Sequence, residues 1–221
     1  MTAPLKVIYE DNHLLVVDKP VGLLSQADST GRPDLLTICK AYIKEKYGKP
    51  GDVYLGLVQR LDLSVSGVIV FARTSKAAAR LSEQIREREP IKIYQALVAG
   101  DPPHEGHLEG FYYKDEEALM ARKTERGKPG AKRASLSFRR LNSSDATHQA
   151  LLEITLETGR FHQIRVQLSD AGYPILGDEK YGGPRHKSGM ALRCVSLTIQ
   201  HPTRKELMTF KADEDWTRAF A

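Results

Sequence analysis

The chain of 221 residues holds only two cysteines, Cys39 and Cys194, far apart in sequence. Thiols this few and this distant suit a reducing compartment and give no metal-ligand spacing. No run of about 18 apolar residues occurs, so no membrane span is expected. Met1-Thr2-Ala3-Pro4 leads straight into a strand-like pattern, without the charged and then apolar stretches of a signal peptide. The seven histidines are scattered, with no H-E-x-x-H, no paired Cys-x-x-Cys and no zinc deaminase pattern. A Gly-rich phosphate loop of the Walker or dinucleotide type is also absent. Ser66-Gly67 lacks the G-x-S-x-G elbow of a serine hydrolase. Internal repeats and low-complexity linkers are missing too.

What is present reads as a soluble globular chain, 41% hydrophobic and 28% charged, long enough to bury a sizeable core. The net charge of +5 is mild, and its distribution says more than its total. Residues 7–9 and 13–17 read as strands around an Asp11-Asn12 turn. Asp34 can cap a helix to about Tyr47, with Leu35, Ile38, Cys39, Tyr42 and Ile43 on one face and Gly48 closing it. Thr74 or Ser75 can cap a second helix to about Glu89, burying Ala78, Leu81 and Ile85, with Pro90 ending it. Residues 91–99 alternate, placing Lys92, Tyr94, Ala96 and Val98 on one side. A further strand covers 108–113, and 134–141 with 149–157 read as a long antiparallel hairpin. A short helix over 161–171 would carry Phe161, Ile164 and Leu168 on one face. Residues 191–199 and 206–211 read as the last strands, and Asp213 can cap a final helix carrying Trp216 and Phe220.

Two stretches stand out chemically. Arg122 through Arg140 holds eight Lys or Arg against one acid, Glu125. Such a run is either a solvated loop or a surface that tracks a polyanion. Residues 114–133, which include its start, show little periodicity and read as the weakest point of the chain. The other stretch is Gln59-Arg60-Leu61-Asp62-Leu63-Ser64-Val65-Ser66-Gly67, between the apolar runs 53–58 and 68–72. An Asp in a short polar turn is a turn residue or a working carboxylate. A lone ionised Asp can act as a nucleophile where an Arg keeps it charged, and Arg60 and Arg165 are the candidates. A glycosidic hydrolase would need a second acid, and none has a comparable setting.

Taken in order, the motifs resemble one family. Arg60-Leu61-Asp62 followed by Ser66-Gly67 resembles the H-R-L-D-x-x-T-S-G signature of RluA-family pseudouridine synthases. Lys92-x-Tyr94-x-Ala96 is similar to that family's K-x-Y-x-A strand. Thr158-Gly159-Arg160-x-His162-Gln163-Ile164-Arg165 matches T-G-R-x-H-Q-I-R, and Gly177-Asp178 with Tyr181-Gly182 matches the G-D-x-x-Y-G that follows. Lys19-Pro20-x-Gly22 resembles the first motif, and Leu192 ahead of His201-Pro202 sits where the L-H-A…H-P segment would be. The set runs from about residue 7 to 205. The sequence departs from the pattern at Gln59 (for His), Val65 (for Thr) and Arg193 (for His).

The resemblance implies an α+β pseudouridine synthase fold, with a mixed, mostly antiparallel central sheet, flanking helices and a catalytic cleft, as one domain over 1–221. No N-terminal S4-like module is expected ahead of Val7. The implied activity is isomerisation of uridine in rRNA or tRNA to pseudouridine, with no metal and no organic cofactor, by a cytoplasmic monomer. Asp62 would be the nucleophile, or the base that opens a glycal route. Tyr94 would stack on the uracil and take part in removing the C5 proton, and Arg165 would keep Asp62 charged. Arg60 would enter the gap left by the flipped base, beside Gln59, and Leu192 would pack against the target base. Lys19, Arg160 and Gln163 would support loops or touch RNA. The alternative is a non-catalytic RNA-binding protein on the same scaffold.

Overall fold

The computed structural model describes residues 5–212 and 216–218. The strands are β1 (Lys6–Glu10), β2 (Leu14–Lys19), β3 (Gly56–Leu57), β4 (Ser66–Ala72), β5 (Ile91–Ala99), β6 (Glu105–Asp115), β7 (Met120–Thr124), β8 (Lys132–Ser144), β9 (Gln149–Leu156), β10 (Leu192–Gln200) and β11 (Leu207–Lys211). The helices are α1 (Leu35–Lys46), α2 (Ser75–Glu87) and α3 (Gln163–Asp170), and Glu179–Tyr181 forms a 3-10 turn. Pairing is mostly antiparallel, so the fold is α+β. The chain packs as two compact units, Met1–Lys92 with Cys194–Asp213, and Ile93–Arg193 with Glu214–Ala221.

In the first unit β2 pairs antiparallel with β1 and β4, and β10 with β11. β2 is buried along its whole length and β4 from Gly67 onward, which explains their unbroken apolar runs. Gly67 has φ +115°, and a Cβ there would lie 2.1 Å from the carbonyl oxygen of Cys194 on β10, so glycine is required by contact as well as by backbone angle. The helix caps follow the sequence. Asp34 accepts from the Thr37 N–H and Thr74 from the Ala77 N–H, each a bond worth about 1 kcal/mol. The buried side of α2 is Ala77, Leu81 and Gln84 rather than Ala78, Leu81 and Ile85. The Gln84 amide turns inward because it both donates to and accepts from the Gln200 backbone. The apolar run 53–58 forms a strand only at β3. Val53 and Leu55 are buried while Tyr54 is exposed, but only Gly56 and Leu57 find partners, on β4.

In the second unit β5, β9, β8, β6 and β7 follow one another as antiparallel neighbours. Tyr94, Ala96 and Val98 of β5 face inward as their alternation predicts. The segment 114–133, which shows little periodicity, contains β7, paired with β6 from Phe111↔Thr124 to Asp115↔Met120. Met-Ala-Arg-Lys-Thr has no alternation to announce a strand; the ladder with β6 creates it. Tyr112, Ala121, Ala134, Val166 and Tyr181 form a small core between this sheet and α3. Helix α3 starts at Gln163, two residues later than expected, because His162 is left-handed at φ +50°. Phe161 is therefore outside the helix and exposed. Of the expected last helix, Asp213 and Phe220 lie outside the described residues; the Trp216 indole donates to Gln95 Oε1 at 2.8 Å.

Candidate active site

The loop 59–65 is held by its backbone. Ser25 Oγ donates to the Leu61 carbonyl at 2.7 Å and accepts from the Leu61 N–H at 3.1 Å. The Gly22 N–H donates to the Leu63 carbonyl at 2.8 Å, and the Val65 N–H to that of Asp62 at 3.0 Å, closing a turn. Leu61 and Val65 are buried, anchoring the loop on both sides of the half-buried Asp62. Arg60 is exposed and Gln59 half-buried.

Beneath the turn lies Lys19, fully buried, whose ammonium donates to the carbonyls of Pro20, Leu23 and Leu63 at 3.1, 2.7 and 3.3 Å. Burial pushes its pKa down to about 8, while the Asp62 carboxylate opposes the fall. At neutral pH the lysine keeps its charge, and the attraction between ammonium and carboxylate is mutual. These bonds tie Lys19 to the loop, and its ammonium acts electrostatically on Asp62.

The second unit carries Tyr94, Arg160, Gln163, Arg165 and Leu192. Gln163 is buried, and its amide knots the loop before α3. Oε1 accepts from the Thr158 hydroxyl at 2.7 Å and the Arg160 N–H at 3.0 Å, and Nε2 donates to the Ser135 carbonyl at 3.0 Å. This residue too supports a loop, with no polar edge turned outward. Arg160 Nε donates to the Arg133 carbonyl at 3.0 Å.

Arg165 is buried on α3 and forms a fork with the buried Asp178. Nε to Oδ2 and Nη2 to Oδ1 are both 2.7 Å. Its guanidinium carbon lies 4.9 Å from the Tyr181 ring centroid. A bidentate pair fixes the guanidinium plane as well as its position, while Nη1 is not part of the fork. His162 Nδ1 lies 2.9 Å from the Tyr181 hydroxyl, which accepts from the Ala121 N–H at 2.6 Å. Burial and the nearby Arg165, Lys180 and Lys114 hold the His162 pKa down at about 3, so the imidazole is neutral. Tyr94 and Leu192 are buried on β5 and β10.

Sequence reasoning aimed Arg165 at Asp62 and gave Asp178 no role, although Gly177-Asp178 was already part of a matched motif; a buried Arg needs a carboxylate, and that requirement was the available signal. Ser25 left no signal, because it acts on a backbone 36 residues away. Among the described residues no three His, Cys, Asp or Glu side chains group so as to hold a metal ion. No helix there is long and apolar enough to cross a membrane.

Comparison with known proteins bears on family and fold. The family described as RNA pseudouridylate synthase matches residues 13–170. The dual-specificity RNA pseudouridine synthase RluA of Haemophilus influenzae is 37% identical over 220 residues, covering 96% of this chain and 94% of that protein. The ribosomal large subunit pseudouridine synthase D of Neisseria meningitidis serogroup A is 34% identical over 224 residues, covering 94% of this chain and 58% of that protein. Among solved structures, human RNA pseudouridylate synthase domain containing 4 superimposes with a TM-score of 0.80 at 24% identity, over 97% of this chain and 91% of that one.

Proposed function

The chain belongs to the RNA pseudouridylate synthase family and is an RNA pseudouridine synthase of the RluA type, and from that premise we propose that Asp62 is its catalytic carboxylate and structured rRNA or tRNA its substrate. The observation that carries this reading is the setting of Asp62, in a turn pinned through its neighbours' backbone and beside the buried ammonium of Lys19.

In the reaction the N1–C1′ bond of a uridine breaks, the uracil turns, C5 joins C1′, and the C5 proton leaves as N1 gains one. Reaching a base in folded RNA requires flipping it out, at about a few kcal/mol; the exposed Arg60, next to Asp62, is assigned to the space the base leaves, with Gln59 alongside. Asp62 acts at C1′ as nucleophile or opens a glycal route as base. Tyr94 is assigned to stacking on the uracil. Arg165, its plane fixed by Asp178, is assigned to keeping Asp62 ionised. Leu192 packs against the base. Arg160 is assigned to RNA contact next to a loop that Gln163 holds. We assign residues 1–221 to one catalytic domain, working as a cytoplasmic monomer. The dual specificity in the name of one relative supports more than one RNA as substrate.

RNA carrying tritium at uridine C5 should lose it to water on incubation with the protein, and Asp62→Asn should abolish release. Release that survives Asp62→Asn sinks the assignment. RNA retention without release, unchanged by Asp62→Asn, would favour a non-catalytic RNA binder. Pseudouridine maps of rRNA and tRNA from cells with and without the protein would name the target.

A further inference from the structure

The basic run from Arg122 to Arg140 divides by sheet face. Cross-strand partners share a face and neighbours along a strand do not. On one face, Arg122 pairs with Asp115 at 2.7 Å, Arg133 forks onto Glu109 at 2.7 Å in both arms, and Arg139 reaches Glu153 at 2.9 Å. Arg140 is bound to Asp101. These four are compensated, which accounts for half of the run.

The other four, Lys123, Arg126, Lys128 and Lys132, are exposed and, among the described residues, have no carboxylate within ion-pair distance. Their arrangement is not random. Lys123 on β7 and Lys132 on β8 are both cross-strand partners of Tyr112 on β6. They therefore lie in one row, two strand spacings or about 10 Å apart. This row belongs to the face that α3 covers, where Tyr112, Ala121 and Ala134 are buried; the two lysines continue that face beyond its apolar part. Arg126 and Lys128 sit in the connection between β7 and β8, and bonds from the Lys128 N–H to the Glu125 carbonyl and from the Ala131 N–H to that of Lys128 give the connection a defined turn.

We propose that Lys123, Arg126, Lys128 and Lys132 form a docking face for the phosphate backbone of the substrate RNA. The inference rests on RNA being the substrate and adds which surface holds it. Four uncompensated cations within ten residues keep their counterions until a polyanion displaces them, whereas an arginine forked onto a carboxylate has few to release. Four exposed cations against the single exposed acid of the run, Glu125, fit the charge of a phosphate backbone.

The test is the salt dependence of RNA affinity, measured on the full chain from about 50 to 200 mM salt. If each of the four neutralises one phosphate, the variant K123Q/R126Q/K128Q/K132Q should lose about 2.8 from the slope of log K against log salt, at about 0.7 per contact. Over that salt range the parent would then lose about 50-fold more affinity than the variant. The charge-neutral variant R139Q/E153Q should keep the parent slope, and Lys→Arg changes at 123, 128 and 132 should keep it too. Equal slopes for parent and quadruple variant overturn the proposal, including in favour of an acidic protein partner. So does an equal loss of slope in R139Q/E153Q. Tritium release separates this from the catalytic reading. Release with an unchanged slope refutes only the docking face, and a shallower slope without release leaves the face standing and refutes the catalytic assignment.

Discussion

Removing the carboxylate of Asp178 should damage the protein out of proportion to the atoms lost. The side chains of Asp178 and Arg165 are 1% and 8% exposed. Their fork of two 2.7 Å bonds compensates the burial of a guanidinium. Breaking a buried pair from one side costs about 3–5 kcal/mol, because a desolvated charge is left behind. For a chain of this length that lowers the melting midpoint by roughly 6–20 °C, at about 2–4 °C per kcal/mol. Asp178→Asn should cost less than Asp178→Ala, since it keeps one acceptor oxygen. The double variant R165M/D178L should recover most of the loss, because apolar groups of similar volume replace a buried pair at little net cost. Urea unfolding measures all three. Tritium release at saturating RNA, well below the midpoint, separates stability from positioning: R165M/D178L should be stable and inactive, and Asp178→Ala folded but slowed. A loss below about 1 kcal/mol for Asp178→Ala would refute the view that Asp178 carries Arg165.

Two further outcomes follow from local geometry. His162 titrates near 3 in the folded protein and near 6.5 unfolded. Between these values the unfolded chain binds a proton that the folded one refuses, so stability rises with pH from about 3 to 6.5, and His162's share is lost on acidification. Asn tolerates the left-handed backbone, so His162→Asn should flatten the pH dependence of urea unfolding in that window; an unchanged slope would contradict the burial argument. Gly67→Ala should cost at least about 3 kcal/mol, adding a clash with the Cys194 carbonyl to backbone strain. Gly22→Ala, also at positive φ but with nothing within 4 Å, should cost only about 1–2 kcal/mol, and similar losses by chemical denaturation would remove the contact as cause.

The parts of the fold visible in the sequence are those set by near neighbours. Asp34 and Thr74 cap helices three residues away, and β5 alternates because one of its faces is buried. What escaped was set at a distance. β7 exists through its ladder to β6, and its buried Ala121 is tied to a tyrosine 60 residues on. α2 turns by one residue because Gln84, polar by type, finds backbone partners on β10. The assigned residues divide the same way. Motifs point to Asp62, Tyr94 and Arg165 as proposed, but Ser25 and the fork on Asp178 are side chains whose partners only folding supplies.

The departures from the family pattern can be weighed on these contacts. Every bond described for the Asp62 turn is made by a backbone group of the turn: the Leu61 N–H and carbonyl, the Leu63 carbonyl, and the Val65 N–H to the Asp62 carbonyl. None of them uses the side chain of Gln59 or Val65. Val65 is 4% exposed, so its position rewards an apolar side chain, and a hydroxyl there would need its own partner to avoid about 1–3 kcal/mol. The turn is thus fixed by Ser25, Lys19 and Gly22 on a partner loop that matches the family at Lys19-Pro20-x-Gly22. A change of side chain at 59 leaves those bonds untouched, whereas one at 65 acts through packing, so any effect of Gln59 falls on what approaches Asp62 from outside.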